Sequence, residues 1–367
     1  MPRILDMIDH SVLGRTPEQL DLDIDYLARK PGPRCLIADD GTYNAGWFES
    51  FDGELNFDQS SAFNLALHRW FHLSVDTPER FIVCNIADFY KGGNTAVLVA
   101  DKRTGAFNAP SRTYMGPQND ITATPDGLRF IDPASHSFLA TTADNGVFTF
   151  SVHADDVHLS GQGRLAVGPP FVHVTRFHRG RGSLQFYGAF ELEHGTLVMG
   201  DEVIPLPAGA LGTFDRTLGH QRGLQAWNWI AATGYATHAA SGRRALICVQ
   251  VARDREMARP VVLSRKYVVW VDDQVRKVPE AAFHYDVTDE DTRETGPWHI
   301  HSAERGESWL DLHFTPRFHR RESRSAVVLV ADFNQYYGEV SGQVCLDGEL
   351  WELEPTFAVA EESLLQV

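Results

Sequence analysis

The feature that most constrains this chain is alternation with a period of two. Short runs follow one another from Arg80 onward: "RFIVCNIADFY", "NTAVLVADKRTG", "GLRFID", "NGVFTFSVHADDVHLSG" and "GSLQFYGAFELEHGTLVMG". They continue as "RRALICVQVA", "KYVVWVDDQVRKV", "SWLDLHFTP", "SAVVLVADF" and "GEVSGQVCLDGELWEL". Lys102-Arg103-Thr104-Gly105, Asp126-Gly127, Asn145-Gly146 and Asp347-Gly348 stand where hairpin turns belong. Successive side chains of a strand point to opposite faces, so such runs bury one face against a core. Closely spaced strands with little helix between them specify antiparallel barrels or sandwiches. Long βαβ units are missing, which excludes a doubly wound nucleotide fold.

One helix is expected. In "RTPEQLDLDIDYLARK", Thr16 is the N-cap, Pro17 takes the first helical position and Gln19 closes a capping box. Lys30 and Pro31-Gly32-Pro33 end it. Leu20, Ile24 and Leu27 form only a narrow stripe, which places this short N-terminal helix on the outside of something. The 367 residues suggest two domains. No Gly/Ser linker divides them, so the sequence predicts two tightly packed barrels. The boundary is placed at "HRGRGSLQF", giving domains 1–183 and 184–367.

Charge narrows the partners. Forty-nine acidic residues against 33 basic give a net charge of −16. Such a field repels nucleic acid and anionic membrane surfaces. Cys35, Cys84, Cys248 and Cys345 are scattered, with no paired spacing, and read as free thiols of a reducing compartment. The N-terminus carries charges where a signal peptide needs an apolar run, and no run reaches membrane-spanning length. The expectation is a cytoplasmic protein with no membrane span, compatible with a homodimer.

Several motifs lead nowhere. "GQGRLA" (Gly161 to Ala166) matches a loose dinucleotide fingerprint, but the prolines of "VGPPF" forbid the helix that would hold a pyrophosphate. In "HADDVH" (His153 to His158) no face collects more than two ligands. His299 and His301 share a strand face, with His313 and His284 as further ligands. The pair equally suits a polar pocket or a solvent face. The reading adopted is no metal and no cofactor.

"FDRTLGHQRGLQAWNWIAATG", Phe214 to Gly234, differs in texture from the rest. Pro205 and Pro207 precede it and suggest a bend that aims Asp215 into a barrel mouth. Arg216, His220 and Arg222 follow closely. In "LQAWNWIAATG" Trp227 and Trp229 fall on one face and Asn228 on the other. A structural account is core packing of the indoles and an Asp215–Arg216 ion pair. The chemical account is a carboxyl acid beside an aromatic wall that excludes water and raises its pKa.

From "LQFYGAFELEHGTLVMGDEVIPL" through this stretch to "PWHIHSAERGESWLDLHFTPRFHRRE" and "YYGEVSGQVCLDGELWEL", the chain resembles the AttH-like and hydroxyneurosporene synthase (carotenoid 1,2-hydratase) superfamily. The N-terminal half resembles it only in β-content and position. The resemblance implies an all-β fold of two packed antiparallel lipocalin-like (calycin) barrels. It also implies cofactor-independent hydration, cyclisation or isomerisation by positioned acids and aromatics. The hydratase branch carries Asp-His-Glu-Trp where this chain has Asp215, Arg216, Thr217 and Leu218. The acid is kept and its usual neighbours are not, so isoprenoid hydration does not carry over directly.

The sequence therefore points to an acid/base hydratase (lyase), isomerase or cyclase. Its expected substrate is a hydrophobic small molecule, such as an isoprenoid or a polyketide-like phenol. Asp215, His220 and Arg216 are the expected catalytic residues. Arg222, Trp227, Asn228, Trp229, Trp298 and His299 are expected to bind substrate. The alternatives are a non-catalytic binder of an apolar ligand and a His-ligated metalloenzyme.

Overall fold

The computed structural model describes residues 29–366 apart from 61–66, 90–91, 116–121, 125–126, 132–135, 143–145, 178–179, 222–223, 257–261 and 327–328. The expected helix falls almost wholly outside the described residues. Its last two positions, Arg29–Lys30, form a short strand parallel to Gly46–Phe48. Among the described residues the one helical element is a 3-10 turn, Phe57–Gln59. The fold is all-β, and no described helix is long and apolar enough to cross a membrane.

Two compact units divide the described chain, Arg29–Gln221 and Arg222–Val367. The division falls well after residue 183. The reason is pairing: the "linker" glycine Gly182 opens a long central strand of the first sheet, and the strand after it stays in that sheet too.

The first unit's main strands are β1 (Leu67–Asp76), β2 (Arg80–Asp88), β3 (Gly92–Asp101), β4 (Val147–Ala154), β5 (Val157–Leu165), β6 (Phe171–Arg176), β7 (Gly182–Met199) and β8 (Leu211–His220). They pair antiparallel in the order β3-β2-β1-β8-β7-β5-β4, with β6 also on β7. Phe71, Leu73 and Val75 of β1 point inward with Phe214 of β8, Phe186 and Phe190 of β7 and Phe148 of β4. Val97 and Val99 of β3 join the same core, so the sheet curls as a lipocalin-like barrel does. Phe148 stacks on Phe214 at 5.0 Å, an arrangement that adds to simple area burial.

The second unit contains β9 (Leu224–His238), β10 (Arg244–Glu256), β11 (Val262–Val271), β12 (Ala281–His284), β13 (Trp298–Ser302), β14 (Trp309–Ala326), β15 (Leu329–Leu346) and β16 (Glu349–Gln366). Their antiparallel order is β11-β10-β9-β16-β15-β14-β13-β12. Val269 of β11 and Phe283 of β12 come from opposite ends of that order yet share one core, so this sheet curls as well. Strands β14, β15 and β16 each run 18 residues. Straight, each would span about 60 Å. Register shifts at Pro316/Phe318 and Val340/Gly342 bend them around the core. The expected Asp347-Gly348 turn joins β15 to β16, both residues at positive φ.

Pro205 does not stop the ladder. It lies in the strand Glu202–Leu206, whose described partner is β7 alone, an edge position that tolerates proline. Asp215 consequently sits in mid-strand on β8 and not after a bend.

One glycine ties the core to a buried imidazole. The Tyr43 ring lies over Gly182, and its hydroxyl meets His220 of β8. A Cβ at Gly182 would fall against that ring and 2.6 Å from the Thr175 carbonyl oxygen. Gly182→Ala is therefore expected to lower stability by about 1–3 kcal/mol, the usual cost of overpacking. Urea unfolding of the full chain, read by tryptophan fluorescence, measures it.

Candidate functional site

Alternation along β8 settles where its side chains point. Phe214 is in the core, so Arg216 and His220 also face inward, and Thr213, Asp215 and Thr217 face outward. The Arg216 guanidinium lies over the Phe186 ring, 4.0 Å from its centroid. Adjacent residues of a strand occupy opposite faces, so Asp215 and Arg216, read together in the sequence, point away from each other. Nor does His220 serve Asp215. Its Nδ1 takes the Tyr43 hydroxyl at 2.8 Å, and its backbone amide donates to that same oxygen at 3.0 Å. Burial lowers its pKa to about 4. His220 is a neutral core histidine.

What Asp215 does meet comes from other strands. Its cross-strand neighbours are His72 of β1 and Tyr187 of β7. Directly opposite residues have Cβ atoms about 4.5–5.5 Å apart, within reach of a carboxylate and an imidazole. His72 in turn lies opposite Asn85 of β2, and its Nδ1 is 2.8 Å from the Asn85 Oδ1. With that oxygen accepting, Nδ1 carries the proton and Nε2 keeps the lone pair. Burial lowers the His72 pKa to about 4, so the ring is neutral at physiological pH. The Thr217 hydroxyl donates to Asp215 Oδ1 at 3.3 Å. Asp215 itself is half-buried. Gln185, His173 and Thr175 extend this buried polar surface along β7 and β6.

The remaining candidates belong to the second unit, and Arg222 lies outside the described residues. Strand β9 alternates as expected. Asn228 faces the interior with Ile230, and Trp227 and Trp229 face out. The Trp227 indole donates to Glu361 Oε2 at 2.8 Å, and Gln335 Nε2 donates to Glu361 Oε1 at 2.7 Å. Gln335 Oε1 accepts from Arg320 at 3.1 Å and from the Tyr337 hydroxyl at 2.8 Å. Trp229 is buried on the same outward face.

Inside, Asn228 Nδ2 donates to the Tyr285 hydroxyl at 3.1 Å and to the Glu361 carbonyl oxygen at 3.2 Å. Trp298 stacks on Tyr285 at 4.0 Å and donates to Thr295 Oγ1 at 2.7 Å. Glu362 pairs there with Arg293, both buried. His299 points the other way, toward Asp311 at 2.7 Å, and so does not share a face with Trp298. The candidates thus fall on both the inner and the outer face of each of two units. Asp215, Arg216 and His220 belong to one unit; Trp227, Asn228, Trp229, Trp298 and His299 belong to the other.

Sequence reasoning missed His72, Asn85, Tyr187, Glu361 and Gln335. The signal for His72 was in "LHRWFHLSVD", where Phe71, Leu73 and Val75 alternate with Trp70, His72 and Ser74. Glu361 was visible as one of two adjacent acids in the otherwise apolar "AVAEESLL". A strand must send one such acid to each face.

Burial raises the Glu361 pKa from 4.5 to about 7, against the Trp227 and Gln335 hydrogen bonds, which lower it. The folded state therefore binds the proton more tightly than the unfolded state. Stability from this group is greatest below pH 4.5 and is lost as pH rises through 7. The rise corresponds to about 3 kcal/mol. Glu361→Gln is expected to abolish that downward slope between pH 5 and 7. Urea midpoints of both proteins across that range measure it, and an unchanged slope in the variant would contradict it.

Comparison with known proteins follows the same architecture. The chain is similar to kievitone hydratase from Nectria haematococca, at 11% identity over 82% of this chain and 88% of that one, with a TM-score of 0.49. It is similar to an AttH-like protein from Nitrosomonas europaea, at 13% identity over 85% and 96% of the two chains, with a TM-score of 0.50. No curated protein matches by sequence. The family model described as "Domain of unknown function (DUF2804)" matches residues 28–366. This all-β chain with an AttH-like fold therefore belongs to the DUF2804 family.

Proposed function

We propose that the protein is a cofactor-independent acid/base enzyme of the hydro-lyase type, adding water to, or removing it from, a hydrophobic small molecule. The observation that carries the reading is the cross-strand row Asp215–His72–Asn85. Asp215 is the proton-transferring carboxylate. His72 is neutral, its Nδ1–H held by Asn85, so its Nε2 accepts a proton from water as it attacks. Tyr187 stands on the other side of Asp215 and offers an aromatic body with a polar tip. Water attacks the β-carbon of a conjugated alkene, and its proton passes to the histidine. A second proton, from the carboxyl, goes to the α-carbon, and the histidine returns its proton to the carboxylate, so that in sum one O–H bond and one C=C π bond are exchanged for C–O and C–H bonds. The resemblance to the hydratase superfamily, in which Asp215 takes the position of the motif's acid, supports the same residue. A cytoplasmic location and a small hydrophobic substrate are part of this reading.

The test is a panel of enones, apolar alkenes and polyketide-like phenols, incubated in water and in ¹⁸O-labelled water. A mass gain or loss of one water is the expected product. Asp215→Asn should lower its rate by about 10²–10⁴-fold, the usual worth of one positioned acid. His72→Gln should reduce the rate while the protein still folds. Binding of a panel member with no turnover would favour the ligand carrier, and full activity in Asp215→Asn would remove the carboxylate from the mechanism.

A further inference from the structure

The outward face of β13 and β14, in the second unit, carries a cluster that the acid/base reading does not use. His299 of β13 lies directly opposite His313 of β14, and His301 lies opposite Asp311. Strand alternation puts all four side chains on one face, because Ile300 and Leu312 between them are in the core. They form a two-by-two block of ligand-type residues across one ladder. His299 Nε2 is 2.7 Å from Asp311 Oδ1, and His313 Nε2 is 4.0 Å from the same oxygen. Donor atoms of His299, Asp311 and His313 all lie within 4.8 Å of one another. The His299 and His313 rings stack 4.8 Å apart, nearly parallel. His284 of β12 adds a fourth imidazole, stacked on His301 at 5.1 Å.

We infer that His299, Asp311 and His313 form a surface site for a divalent transition-metal ion such as zinc or copper. The donor set selects the ion. Imidazole nitrogen with one carboxylate oxygen suits zinc, copper and nickel, whereas magnesium and calcium require oxygen ligands throughout. Zinc takes nitrogen at about 2.0–2.1 Å and carboxylate oxygen at about 2.0–2.2 Å in tetrahedral geometry. Ligand atoms then stand about 3.3 Å apart, a spacing reached from the present one by small side-chain rotations. Three protein ligands leave the fourth position to water or to His301. An ion there takes the place of the hydrogen bond between His299 and Asp311.

One neighbour opposes the ion. Arg305, on the turn before β14, pairs with Asp311 Oδ2, and its guanidinium lies 4.5 Å from the Trp309 ring centroid. Its positive charge repels a cation at Asp311. Removing it should tighten binding, an effect that a random surface histidine pair would not show.

Isothermal titration of zinc chloride into tag-free, chelator-treated full-length protein tests the site. One saturable equivalent in the micromolar range is expected. His299→Ala with His313→Ala should weaken it on the order of 100-fold or more, since even outer-shell partners cost about 10–100-fold. Arg305→Ala should tighten it, and His194→Ala, on the first unit, should leave it unchanged. Copper EPR with the same variants should show a multi-nitrogen signal that the double variant loses. Absence of saturable binding, or binding indifferent to both the double variant and Arg305→Ala, would overturn the site. Circular dichroism of the variants excludes misfolding as the cause of a loss.

Discussion

The ladder in which β8 pairs with β1 on one side and β7 on the other fixes most of what can be said about this protein. A strand in such a ladder has no freedom to collect adjacent residues on one face. Phe214 enters the core, so Asp215 must leave it, and Arg216 must enter again. A cluster that is dense along the chain is thereby split. A different cluster, sparse along the chain, is assembled across it: Asn85, His72, Asp215 and Tyr187 come from four strands and stand in one row. Chemistry in an antiparallel sheet is written along the hydrogen-bonding direction and not along the sequence.

The outward faces that result carry side chains that are both polar and buried. His72, Thr213, Gln185 and His173 are withdrawn from water on one unit, as are Gln335, Arg320 and Glu361 on the other. Loss of hydration disfavours charge whatever its sign. It lowers His72 to about 4 and raises Glu361 to about 7. One cause thus yields a neutral imidazole and a carboxyl that holds its proton near neutrality. The inner faces obey the same rule differently, with Glu362 kept as an ion pair with Arg293 and His220 kept neutral by burial.

Much of the fold was legible because alternation is a local property. The strands, the Asp347-Gly348 turn and the opposed faces of Trp227 and Asn228 follow from neighbouring residues alone. The domain boundary did not, since Gly180 to Gly182 looks like a connection until its partners are known, and Gly182 is there to admit the Tyr43 ring. For the site, Asp215 could be singled out by type and by resemblance, and Trp227, Asn228 and Trp229 by their pattern. Their partners could not. His72 and Glu361 are single residues in ordinary strands, and only pairing shows that one faces Asp215 and the other holds Trp227. His299 and His313 were legible as ligand types, but Asp311 joins them only through the register of β13 on β14.

The departure from the hydratase motif acquires a meaning on this scaffold. At the four positions where the superfamily's branch reads Asp-His-Glu-Trp, alternation along β8 sends the second and fourth residues of this chain inward and leaves the first and third on the outward face. In this chain the inward position holds Arg216 over Phe186, a packing role. The outward position holds Thr217, whose hydroxyl donates to Asp215. A hydroxyl donor therefore stands where a second carboxylate would stand, and Asp215 has only threonines beside it on its own strand and face. Its nearest imidazole is not along the chain but across the ladder, at His72. On this strand a neighbour two residues away and a neighbour across the ladder are the two ways to place a polar group beside Asp215, and this chain has Thr217 in the first place and His72 in the second.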